Sequence, residues 1–140
     1  MVNDIINGIA IKIDSLFDDN AVIYTEGVEQ DFQEPCFYVK LLRASQKQVL
    51  NNRYYLEHSF DVHYFPGTAD KNAEMHDTAL KLAGLEYITS SGSLIRGTKM
   101  RYEIVDGVLH YFVQYNYFAY LTKEEVERMQ SISVHNGIGG

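Results

Sequence analysis

Apolar and polar positions alternate most regularly over residues 96–121, RGTKMRYEIVDGVLHYFVQYNYFAYL, and the pattern mirrors itself about Asp106-Gly107. Asp-Gly between alternating apolar residues predicts a β-hairpin, because a two-residue type I′ turn needs positive φ at both positions and its twist matches that of the strands. The turn sets the register. Val105 falls opposite Val108, Ile104 opposite Leu109, Tyr102 opposite Tyr111 and Met100 opposite Val113, which gathers Met100, Tyr102, Ile104, Leu109, Tyr111 and Val113 on one expected core face. Glu103 with His110, and Arg101 with Phe112, occupy the other face.

A second hairpin is predicted from residues 36–50 and 53–65, joined at Asn51-Asn52 and entered after Pro35, which cannot donate to a ladder. A two-residue turn pairs Val39 with Tyr64, Leu41 with Val62 and Arg43 with Phe60, so that Phe37, Val39 and Leu41 share a face with Phe60, Val62 and Tyr64. Ser45, Gln46, Lys47 and Gln48 are polar on both faces, and this tip is expected to project beyond the core as an arm.

Helical spacing takes over elsewhere. Val2, Ile5, Ile6, Ile9, Ile13, Leu16 and Phe17 trace one stripe of a helix over residues 2–18, stopped by Asp18-Asp19-Asn20. Asp70 is the expected N-cap of a second helix whose stripe runs through Met75, Ala79, Leu82 and Leu85 or Glu86 to about Tyr87. Ala21 to Thr25 reads as a short strand, and Ser90 to Ser93 as a loop. Thr122 and Glu125 have capping-box spacing and start a short third helix over 124–129. The predicted order α-β-β-β-α-β-β is α+β: a single domain over 1–121, mainly antiparallel, with two helices on one sheet face, followed by a short helix and flexible tail over 122–140.

Composition narrows the function classes. A chain of 140 residues is long enough for one real core, and 46% apolar residues with 13% aromatics belong to a globular protein. No stretch reads as a signal peptide or membrane helix, and one cysteine, Cys36, excludes an internal disulfide, which fits a reducing compartment, the cytoplasm in which the chain is made. A net charge of −7 argues against gripping nucleic-acid phosphates. The charge is uneven. Residues 26–34 hold Glu26, Glu29, Asp31 and Glu34 without a base, whereas 40–53 hold Lys40, Arg43, Lys47 and Arg53 without an acid. Such runs are ordinarily solvated faces; the alternative is a pair of complementary patches between subunits or partners. Arg96, Lys99 and Arg101 make a small basic cluster that would face a channel or a partner.

Candidate chemistry is sparse. His58, His63, His76, His110 and His135 show neither a helical i, i+4 pair nor Cys/His spacing, so no metal site is expected, and His63 and His110 are read as sheet-surface partners of Lys40 and Glu103. Cys36 lacks a nucleophile motif, no glycine pattern cradles phosphate, and no carboxylate pair stands out. No catalytic residue and no cofactor are expected.

The chain resembles the phage tail terminator, or tail completion, family of Gram-positive phages and prophages. The resemblance rests on NDIINGIAIKI at 3–13, YTEGVEQDFQEPCFYV at 24–39, NRYYLEHSFDVHYFP at 52–66, NAEM at 72–75, LEYI at 85–88 and RGTKMRYEIVDGVLHYFVQY at 96–115. It implies a non-enzymatic virion protein forming a hexameric ring at the head-proximal end of the tail tube. Such a ring would end tube polymerisation and dock the head–tail connector or stopper, and in a contractile tail it would also meet the sheath. DNA would pass through without specific binding, and no membrane is involved. The same part occurs in headless tail-like particles. Another neck component, such as a head-closure or adaptor protein, and a small ligand-binding or enzymatic domain are the alternatives.

Overall fold

The computed structural model describes residues 2–26 and 33–128. The isoleucine stripe of the first segment winds into helix α1, Val2–Leu16, which buries Ile5, Ile9 and Ile13 completely. Helix α2, Lys71–Leu82, begins where the Asp70 carboxylate accepts the Ala73 N–H at 3.3 Å, and it buries Met75, Ala79 and Leu82. Between and after the helices run β1 (Ile23–Thr25), β2 (Cys36–Leu50), β3 (Arg53–Phe65), β4 (Tyr87–Ser90), β5 (Ser93–Val105) and β6 (Val108–Tyr120), with a 3-10 turn over Ala83–Glu86. A last helix, α3, covers 123–128. It carries the predicted capping box, since the Glu125 N–H donates to Thr122 Oγ1 and the Thr122 N–H to Glu125 Oε1, both at 3.1 Å.

The strands form one six-stranded sheet in the order β1-β2-β3-β6-β5-β4. β1 is parallel to β2 and every other pair is antiparallel, so the α+β class holds with a mixed sheet. Both helices lie on one face, where their apolar stripes meet Phe37, Val39, Phe60, Val62, Leu109, Tyr111, Val113 and Tyr115. α1 approaches β4 so closely at Gly8 that a Cβ there would overlap the Thr89 carbonyl oxygen. Any side chain would push the helix off the sheet.

Three sequence expectations need correction. The segment 87–90, expected to end a helix and open a loop, is strand β4, hairpinned to β5 through Ser91-Gly92 with φ of 50° and 79°. This is the positive-φ pairing also seen at Asp106-Gly107, with φ of 52° and 76°. Serine at the first position made the signal weaker than Asp-Gly.

In the central hairpin the register holds from Val105↔Val108 to Arg101↔Phe112, but a bulge with Lys99 at φ 51° then shifts the ladder and denies Met100 the expected pairing with Val113. Tyr102 is 42% exposed and Ile104 only half-buried, because α2 sits over the β6 side of that face.

In the first hairpin Leu50 does pair with Arg53, as a two-residue turn requires. Irregularities at Val49 and Leu42 then move the partners by two, to Leu41↔Phe60, Val39↔Val62 and Phe37↔Tyr64. An even total shift keeps Phe37, Val39 and Leu41 on the core face, whereas residues between the bulges change sides. Arg43, expected opposite Phe60, lies opposite Ser59.

Candidate functional site

Alternation gives each strand two faces, and among the described residues no element covers the face that points away from α1 and α2. The bulge at Leu42 is what places Arg43 and Lys47 there beside Lys40 and Arg53, so the basic run of the sequence becomes a column on one surface. At the arm end, the Arg53 guanidinium lies 4.2 Å over the Phe118 ring, which in turn meets Tyr55 at 4.8 Å. Arg101 sits 4.1 Å over Phe112 with Nη1 3.8 Å from Glu103. Arg96 is held by Glu86 at 3.1 Å and Lys99 stands in the β5 bulge, so the three expected cluster members have separate environments.

The acidic segment starts alongside the basic column, since Glu26 Oε1 accepts the Leu41 N–H at 3.1 Å. Glu34 is exposed, while Glu29 and Asp31 lie outside the described residues, as does the expected tail over 129–140.

At the middle of the same face is a cluster that sequence spacing could not reveal. β3 pairs with β6 so that His63 lies opposite His110, with Asp61 two residues earlier on β3 pointing to the same side. His63 therefore neighbours Tyr38 on β2, and the expected cross-strand partner Lys40 faces Asp61 instead. Asp61 Oδ2 is 2.9 Å from His63 Nε2 and 2.9 Å from His110 Nδ1, and the two imidazole rings meet edge to face at 4.5 Å. The carboxylate is 8% exposed and the rings 17% and 22%. Burial pushes the Asp61 pKa up, but the two imidazole hydrogen bonds outweigh it and hold the group below its usual value. Oδ1 is buried with no hydrogen-bond partner. The only local sign in the sequence is Asp-x-His within one strand, and the third member comes from a strand 49 residues away in the chain.

The helix side holds its polar groups differently. Glu74 accepts from the Gly67 N–H at 3.0 Å, the Thr68 N–H at 2.7 Å and the Tyr64 hydroxyl. Although burial opposes it, this full set of donors lowers the Glu74 pKa to about 2. Tyr115, fully buried, donates its hydroxyl to the Leu85 carbonyl at 2.6 Å. His58 donates from Nδ1 to the Tyr115 carbonyl at 3.0 Å, and burial lowers its pKa. Cys36 is 1% exposed with its thiol pKa raised by burial, the opposite of an activated nucleophile. An open groove between the start of α1 and β2–β3 is lined by Ile6, Leu41, Leu56 and His58, with Glu125 and Arg128 at its rim.

A family model described as phage tail terminator protein matches residues 4–127. No curated protein matches the chain. Among solved structures, one superposes over 88% of this chain and 99% of its own, at 10% identity and a TM-score of 0.48, a likeness too loose to carry an argument.

Proposed function

This chain belongs to the phage tail terminator family, and we propose that it is a structural, non-enzymatic virion protein that caps the head-proximal end of a tail tube as a ring. The ring, a hexamer as the resemblance implies, stops tube polymerisation and offers its far side to the head–tail connector or stopper protein. Sheath contacts follow if the tail is contractile. Assembly takes place in the cytoplasm of a bacterial host, Gram-positive as the resemblance implies, and DNA passes through unheld.

The observation that carries this reading is the uncovered sheet face. Leu50, Phe118 and Tyr120 there are 67%, 52% and 73% exposed, next to Arg53 and Lys47. Arginine and aromatic side chains grouped around exposed apolar surface are the composition of a protein–protein contact. A head-to-tail ring needs two different patches on each subunit, and the acidic segment from Glu26 with the basic column on β2 supplies opposite charges for that contact.

Native mass spectrometry of the purified chain, alone and with its tube protein, tests the reading. The expected result is a species of six times 16.1 kDa that gains tube protein. A strictly monomeric chain that ignores the tube protein overturns it. Capture of portal-side proteins without tube protein would favour another neck component.

A further inference from the structure

We propose that Asp61, His63 and His110 bind one divalent transition-metal cation of the zinc class on the uncovered face of the sheet. Two imidazole nitrogens and one carboxylate oxygen are a donor set such ions take, and the three donor atoms lie within 4.8 Å of one another. No ring nitrogen has to travel far. Around an ion with bonds of about 2.1 Å, tetrahedral donors sit roughly 3.4 Å apart, against the present 2.9 Å from Asp61 Oδ2 to each ring. Small side-chain rotations open that space.

Asp61 gives the second, independent reason. A residue 6% exposed keeps Oδ1 buried and unpartnered while Oδ2 holds both rings. Buried polar atoms are normally satisfied, and on the other side of this sheet Glu74 has both oxygens occupied. A cation at the cluster would take up carboxylate charge that the two imidazole hydrogen bonds leave unanswered, and β3 and β6 hold the ligands in a fixed cross-strand register. The rings remain 17% and 22% exposed, which leaves an entry path and an outward position for water as the fourth ligand.

The test uses the full chain, stripped with a chelator and titrated with Zn²⁺, and in parallel with Co²⁺ as a spectroscopic probe. One equivalent should bind, Co²⁺ should give the intense visible absorption of a low-coordinate site, and the melting temperature should rise with free Zn²⁺. His63→Gln and His110→Gln should each weaken binding by more than the roughly 10–100-fold that outer-sphere partners alone command. His76→Gln, a substitution at an exposed histidine next to Tyr102, should leave binding unchanged. Circular dichroism confirms that the variants fold. Absence of stoichiometric binding, or binding that survives the His63→Gln, His110→Gln double variant, overturns the proposal. Ring formation is read separately by mass, so the two proposals fail independently.

Discussion

The two faces of the sheet are cut from the same strands, yet they treat their side chains in opposite ways. On the helix side Phe60 and Tyr115 have no exposure, and Glu74 is saturated with donors. On the other side Phe118 is 52% exposed under an arginine, and the buried Asp61 has one oxygen unanswered. The first face is complete within one chain. The second has the unsatisfied apolar and polar groups that stability within one chain does not require, which is where an assembly protein keeps its function.

The sharpest way to break this comparison is to truncate one phenylalanine on each face. Phe60→Ala should cost about 3–5 kcal/mol, whereas Phe118→Ala should stay within about 1 kcal/mol and instead weaken oligomerisation. Thermal melting read beside native mass checks both. Equal losses of stability would mean that the uncovered face is ordinary core.

Glu74→Gln comes next, at about 1.5–3 kcal/mol, because it removes a charged acceptor from three donors. Its pH signature has a definite sign. Glu74 titrates near 4.5 when unfolded and at about 2 when folded, so its contribution is present above pH 4.5 and is lost as pH falls through about 2. Denaturant midpoints measured down that range should slope less steeply in the variant than in the parent. An unchanged slope would show that Glu74 is not the group responsible.

The smallest effect on stability is expected from Arg43→Glu with Lys47→Glu, within about 0.5 kcal/mol, since both side chains are exposed. Assembly should nonetheless suffer, and Glu29→Lys with Asp31→Lys in the same chain should partly restore it. Unaltered ring formation in every variant would remove the complementary-charge contact.

Much of the fold was legible because strong local signals agreed with the tertiary answer. Asp106-Gly107 fixed a hairpin, Asp70 capped α2, and Thr122 and Glu125 formed their reciprocal bonds. What escaped was set by packing between distant segments. β4 reads as the tail of a helix stripe, because Leu85 and Ile88 keep helical spacing while the chain has already turned into a strand. Asp61, His63 and His110 meet only because β3 lies against β6, a pairing that neither hairpin turn dictates. Net charge carries no such positional information. An overall −7 says nothing of a face on which Lys40, Arg43, Lys47, Arg53 and Arg101 are gathered.

The extra residue at Leu42 acts as a frameshift written in three dimensions. Upstream of it odd-numbered side chains of β2 point to the helices, and from Ala44 to Gln48 even-numbered ones do, with Ala44 and Gln46 beside His58 and Leu56. Deleting that one position would remove the bulge and leave the remaining side chains on their present faces. Regular pairing with Leu42 retained would do the opposite, turning Arg43 and Lys47 to the helix side and sending the small Ala44 outward. The surface chemistry of this chain thus hangs on a parity, and deleting one residue between Arg43 and Lys47 is expected to scramble it far more than any substitution at the same place.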